Sequence, residues 1–162
     1  MKPMTTIRQY QASDESQLRD LAVQNYAALQ PADAPADYET AAISAYFRHI
    51  IEIQEKHTGC VLVAEKEKTL IGFVCLMGPI PPSSVETTEE PYAFMSDLFV
   101  SKAFRYQGVG TLLIRKAEDR ARSMGIRKIA LRVAANNETA RKIYTANRYT
   151  ENFVVMSKDL GQ

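Results

Sequence analysis

The chain has 162 residues, 46% of them hydrophobic and 24% charged, with a formal net charge of +1. That length suits one domain, here residues 1–162, and the composition is that of a globular chain rather than a disordered or disulfide-stapled one. No apolar run approaches the ~20 residues of a membrane-spanning helix, and bases interleaved with acids argue against nucleic acid as a partner. The start, MKPMTTIRQY, lacks the apolar centre of a secretory signal, so a cytoplasmic protein with no membrane partner is expected.

TTIRQY reads as a first strand. SDESQLRDLAVQNYAAL follows as a helix, with Ser13 or Asp14 as N-cap and Leu18, Leu21, Ala22 and Tyr26 on one face. QPADAPAD breaks it, and Asp37 caps a second helix. The apolar face there is predicted to comprise Tyr38, Ala41, Ala42, Ala45, Tyr46, His49, Ile50 and Ile53. His49 and His57 lack companions at ligand spacing, so no metal is expected. CVLVAEKEKTLIGFVCLM changes to strand character on both sides of a charged turn, Glu65 to Lys68, and predicts a hairpin. Its cysteines, Cys60 and Cys75, read as small buried residues.

GPIPPSSVETTEEP is a loop and YAFMSDLFV a strand. VGTLLIRKAEDRARSMG is an amphipathic helix with Val109, Leu112, Leu113, Ala117, Ala121 and Met124 inward, closed by Gly125. RKIALRV, NETARKIYTAN and FVVMSKDL complete the chain as strand, helix and final strand. The order β-α-α-β-β-β-α-β-α-β predicts an α+β fold around a sheet of mixed direction.

The segment FRYQGVGTLL joins a strand to a helix. The first N–H groups of that helix have no intrahelical partners, and the helix dipole adds partial positive charge. Gly108 and Gly110 leave the backbone bare, and Arg105 adds a charged donor. Alone, the segment is compatible with a phosphate cradle or with a plain turn, since it matches neither the Rossmann nor the P-loop spacing.

DLFVSKAFRYQGVGTLL resembles the cofactor motif of the GCN5-related N-acetyltransferases, the GNAT superfamily, which reads Arg/Gln-x-x-Gly-x-Gly/Ala after a strand. Arg105, Gly108 and Gly110 fill it here. A second family pattern, Asn-x-x-Ala-x-x-Leu-Tyr, is met by Asn137, Ala140, Ile143 and Tyr144. The resemblance covers essentially the whole chain. It implies a mostly antiparallel central sheet with a splayed cofactor-binding strand pair and flanking helices.

It further implies acetyl-CoA as co-substrate, its pyrophosphate on the backbone of Arg105, Tyr106, Gln107, Gly108, Val109, Gly110 and Thr111. The pantetheine arm would lie along Leu98, Phe99 and Val100. Asn137 would touch that arm or order nearby backbone, and Tyr144 would lie near the sulfur. The implied activity is acetyl transfer to a primary amine, with a backbone N–H of Leu98 or Phe99 stabilising the oxyanion and Tyr144 as general acid. Read from the residues alone, Tyr144 is a core aromatic beside Ala140 and Ile143. The alternatives are a protein or peptide acceptor, or a non-catalytic acetyl-CoA-binding module; relatives are often dimers.

Three departures from the family pattern stand out. Ser96 occupies the place of the usual strand glutamate. Alternation is expected to turn Asp97 to the opposite face, leaving Glu90, or a water chain through Ser96 and Tyr92, to take the proton. Arg148-Tyr149 replaces the usual Gly-Phe, and Asn147 is expected to supply the left-handed helix end. Tyr106 stands where glycine is common. Charge is also segregated. Twelve bases lie between Lys102 and Arg148 among three acids, Glu118, Asp119 and Glu138. The acids Asp33, Asp37, Glu39, Glu86, Glu89 and Glu90 lie in base-free stretches, and would rim a pocket for a small cationic amine.

Overall fold

The computed structural model describes residues 4–29, 39–56, 58–82, 90–158 and 160. Strand β1 (Thr6–Gln9) leads through a short 3-10 turn into α1 (Glu15–Leu29). Then come α2 (Glu39–Lys56), the hairpin β2 (Cys60–Lys66) and β3 (Thr69–Ile80), β4 (Tyr92–Val100), α3 (Val109–Ser123), β5 (Ile129–Leu131) and α4 (Glu138–Ala146). The sheet runs β1-β2-β3-β4-β5. Its first three pairings are antiparallel and β4–β5 is parallel.

The hairpin turn places Glu67 and Lys68 at positive φ, 51° and 65°. This is the left-handed pair that a two-residue hairpin needs to match strand twist. Two apolar clusters sit on the two faces of the sheet. On one, Leu18, Leu21 and Ala22 of α1 and Phe47, Ile50 and Ile53 of α2 cover Val61, Val63, Phe73 and Cys75. On the other, Val109, Leu113, Ile114, Ala117 and Ala121 of α3 cover Ile71, Val74, Leu76, Ala93 and Met95. Cys60 and Cys75 are buried and free.

Several expectations are corrected. The inward face of α2 is built on Phe47, Ile50 and Ile53, while Ala41, Ala45 and His49 point outward. A helix has one face to bury, and the bulkier side chains remove more apolar area from water. For the same reason Ile114 replaces Leu112, which is exposed. The segment expected as a final strand has no ladder partner among the described residues. Val154, Val155 and Met156 lie exposed, because strand propensity is realised only against a neighbouring strand. His57, Asp33, Asp37, Glu86 and Glu89 lie outside the described residues. Among the described residues no helix is long and apolar enough to cross a membrane.

Candidate active site

Among the described residues, strand β5 pairs only with Ala93, Phe94 and Met95 of β4. The remaining residues of β4, Ser96 to Val100, run on beyond it along an open edge. Ser101 N–H donates to Ile71 O, so in the antiparallel β3–β4 ladder the odd-numbered residues Phe99 and Ser101 turn their backbone groups toward β3. Leu98 and Val100 turn theirs toward the open edge. Of the two expected oxyanion donors, Leu98 therefore has its N–H on the open edge and Phe99 has its N–H toward β3. The Phe99 ring goes into the core against Phe73, with centroids 6.0 Å apart.

The edge ends at the N-terminus of α3. Gly108 is the N-cap, left-handed at φ 82°, with no side-chain cap, and no acid lies in the first turn. A Cβ at Gly108 would meet nothing within 4 Å, so conformation rather than crowding calls for this glycine. Gly110 has a different reason: a Cβ there would lie 2.6 Å from Ile143 Cδ1. Its missing side chain lets α4 approach α3. Val109 is buried beneath the turn and Thr111 is half-buried.

Arg105 folds back rather than reaching over the helix end. Its Nε donates to Val100 O at 2.9 Å, and its guanidinium lies 5.7 Å from the Phe99 ring centroid. Gln107 Nε2 donates to Ala103 O at 3.1 Å, which tightens the loop. Tyr106 is left-handed at φ 61° and 92% exposed, so its ring faces solvent.

Helix α4 is capped by Asn137, whose Oδ1 accepts from Ala140 N–H at 3.1 Å. That places Asn137 as an organiser of backbone. At the other end Tyr149 N–H donates to Tyr144 O and Arg148 N–H to Thr145 O. This is a Schellman closure, and its left-handed residue is Arg148 at φ 67° rather than the expected Asn147, which keeps a negative φ of −94°. Asn147 instead donates from Nδ2 to Ile143 O. The closure packs the Tyr149 ring on Tyr144, centroids 5.8 Å apart. Burial, aided by the negative charge of Asp97, pushes the Tyr144 phenol up to about 12, so it is a proton donor throughout the neutral range. Arg141 is held by Glu151 and Ala135 O, and Lys142 lies 3.8 Å from Glu138.

The expected separation of Ser96 from Asp97 is not found. Cys75 faces Asp97 and Leu76 faces Met95, so Ser96 is an extra residue, a β-bulge. The bulge breaks alternation, and Ser96 Oγ donates to Asp97 Oδ2 at 2.7 Å. Tyr46 of α2 donates to Asp97 Oδ1 at 2.5 Å, and Asn25 of α1 donates to the Tyr46 oxygen at 2.6 Å. Neither Asn25 nor Tyr46 was expected at a site. Asn25 left a trace, a polar residue at the i+7 place of the Leu18-Leu21-Ala22 stripe. Glu90 is displaced from this region. It precedes β4, six residues before Ser96 and ~20 Å away along an extended chain, beside Pro79, Met124 and Arg127. Among the described residues no cluster of His, Cys, Asp and Glu is placed to hold a metal.

The model of the acetyltransferase (GNAT) family matches residues 18–148. The chain is 43% identical over 68 residues to the uncharacterized N-acetyltransferase YycN of Bacillus subtilis (strain 168), which is 42% of this chain and 44% of that protein. It is 35% identical over 68 residues to the uncharacterized N-acetyltransferase YdgE of the same organism, covering 42% and 43%. The chain thus spans under half the length of these curated relatives. Among solved structures it is similar to aminoglycoside N-acetyltransferase AAC(6')-Iy in complex with CoA, with a TM-score of 0.76 at 22% identity over 99% of this chain and 98% of that one. It is also similar to the PaiA N-acetyltransferase from Thermoplasma acidophilum in complex with coenzyme A, with a TM-score of 0.72 at 20% identity over 97% and 94%. At these identities the likeness to the solved structures is one of fold.

Proposed function

The chain belongs to the acetyltransferase (GNAT) family, and we propose that it transfers an acetyl group from acetyl-CoA to a primary amine of a small cationic molecule. One observation carries the reading: the open edge of β4 leads, through residues 101–108, to an uncapped N-terminus of α3, and α4, which bears Tyr144, packs against that turn at Gly110. The residues fit the co-substrate. Leu98 offers a backbone donor and acceptor, and Val100 its N–H, to an extended amide-bearing arm, the Val100 carbonyl being held by Arg105. The free N–H groups of the first turn of α3 offer an anion site with no competing acid.

In the transfer, Leu98 N–H supplies a hydrogen bond to the thioester oxygen, which gains charge as the amine attacks. Tyr144 gives its proton to the departing sulfur. The Tyr149 packing and the Schellman closure hold that phenol in place. The preference for a cationic amine rests on charge segregation along the chain and agrees with the aminoglycoside acetyltransferase among the proteins of like fold. A homodimer in the cytoplasm is the expected setting.

The test is thiol release from acetyl-CoA against polyamines, aminoglycosides, amino acids and short peptides. Turnover with one class of cationic small amine is the expected result. Acetyl-CoA binding without turnover on any of them, with turnover on a protein amine, would move the acceptor to a protein.

A further inference from the structure

A chain of three hydroxyl or amide donors ends on one carboxylate at the place where the sheet opens, two of them bonding it directly. Asn25 donates to Tyr46, Tyr46 donates to Asp97 Oδ1, and Ser96 donates to Asp97 Oδ2. The three donors come from α1, α2 and the bulge in β4. Such an arrangement is costly to build. Asn25 is buried and Tyr46 half-buried, and polar groups there need partners to offset their desolvation. The apolar stripe of α1 would be continued more simply by a leucine at position 25.

The place matters as much as the bonding. Ser96 is the first residue of β4 beyond the end of β5. Tyr46 and Asn25 reach Asp97 from the helices on one face of the sheet, whereas Tyr144 packs with the cluster on the other face. The open edge between β4 and β5 is the gap between them. Nucleophile and leaving group of an acyl transfer need separate proton partners, and the two faces supply one each.

We propose that Ser96 and Asp97 are the proton-accepting pair for the acceptor amine, and that Tyr46, held by Asn25, is the positioning residue that fixes Asp97 for this role. The inference rests on the acetyl-transfer reading above. As the N–C bond forms, the amine nitrogen becomes cationic and acidic. Its proton passes to Ser96 Oγ while the Ser96 hydroxyl proton passes to Asp97 Oδ2. The C–S bond breaks, the sulfur takes the Tyr144 proton, and Asp97 and Tyr144 recover their starting states through solvent. Tyr46 occupies Oδ1 throughout, which leaves Oδ2 as the only oxygen facing Ser96. Burial and Asp97 push the Tyr46 phenol far above its ordinary value, so it stays a donor at every working pH. The titratable groups facing Asp97 on its own side of the sheet are Tyr46 of α2 and Cys75 of β3, with Tyr144 of α4 in the cluster on the other side, and burial also pushes the Cys75 thiol up.

The test compares Asp97→Asn, Ser96→Ala and Tyr46→Phe with the wild type. Each is measured for kcat against pH with the best amine, for acetyl-CoA affinity by calorimetry, and for thermal stability. Asp97→Asn is expected to lower kcat by about 10²–10⁴-fold with acetyl-CoA affinity retained. Ser96→Ala is expected to lower kcat in the same direction. Tyr46→Phe is expected to move the acidic limb of the kcat profile upward, because Asp97 loses a donor to its charged form. A merely structural Tyr46 would lower stability and leave that limb in place. Wild-type turnover with Asp97→Asn folded and undiminished overturns the pair alone. A wild type that binds acetyl-CoA but transfers to no amine overturns the acetyl-transfer reading, and the pair with it.

Discussion

The ring of Tyr149 packs on the ring of Tyr144, centroids 5.8 Å apart, at the same point where Tyr149 N–H donates to Tyr144 O. In a Schellman closure these are the two positions that make the accompanying apolar contact. The end of α4 is thereby tied to the side chain proposed as general acid. Tyr149→Ala is expected to lower stability by about 1–3 kcal/mol, less than a full core truncation because Tyr149 is only half-buried. It should also lower kcat more than acetyl-CoA affinity. Urea unfolding together with steady-state kinetics checks both.

Arg148 pays a conformational penalty at this closure, with φ at 67° in the left-handed region. A non-glycine residue there costs roughly 1–2 kcal/mol. Arg148→Gly is expected to raise the melting temperature by about 2–4 °C for each kcal/mol recovered in a domain of this size. Calorimetry decides it. A fall in melting temperature would mean that the Arg148 side chain contributes more than its backbone loses.

The two glycines of the loop should respond differently to alanine. At Gly108 the penalty is backbone strain of about 1 kcal/mol with no collision. At Gly110 the added methyl meets Ile143, the neighbour in sequence of Tyr144. Gly110→Ala is expected to lower kcat by shifting α4. Ile143→Ala introduced into the same chain should recover part of that loss, giving a non-additive double-mutant cycle. Gly108→Ala should show no such coupling to Ile143.

Acid sensitivity is expected at the other end of the sheet. Asp14 accepts two hydrogen bonds from Arg8 and one from Gln11 N–H, and the Arg8 bonds hold its carboxyl below the usual value despite the opposing effect of burial. A carboxyl depressed in the folded state stabilises it above the unfolded pKa, about 3.9. That contribution is lost as pH falls through the folded value. Asp14→Asn is therefore expected to cost about 1.5–3 kcal/mol at pH 7, with the gap to wild type closing below about pH 4. Denaturation series at several pH values measure the gap.

Local signals explain most of what was legible in the chain. YAFMSDLFV is β4 to the residue, and Asn137 caps α4, because a β-rich run between prolines and a motif carries its own boundaries. Gly125 ends α3 at φ 75° for the same reason. The parts that were not legible depend on contacts distant in sequence. Tyr46 meets Asp97 from 51 residues away along the chain, and Asn25 reaches Tyr46 from 21 residues away. The Ser96 bulge is a property of the β3–β4 register, which no reading of β4 alone contains. The segment from Phe153 has the composition of a strand, but strand formation needs an edge, and none is paired with it among the described residues.

The most direct test of the central claim is kcat for Tyr144→Phe with the best amine, measured beside acetyl-CoA affinity by calorimetry. The account predicts a loss of about 10²-fold or more in kcat with affinity within a few-fold of wild type. It also predicts no tyrosine limb in the wild-type profile below about pH 10, since the phenol lies near 12. An undiminished kcat, or a loss matched by an equal loss of acetyl-CoA binding, would contradict Tyr144 as the proton donor to sulfur.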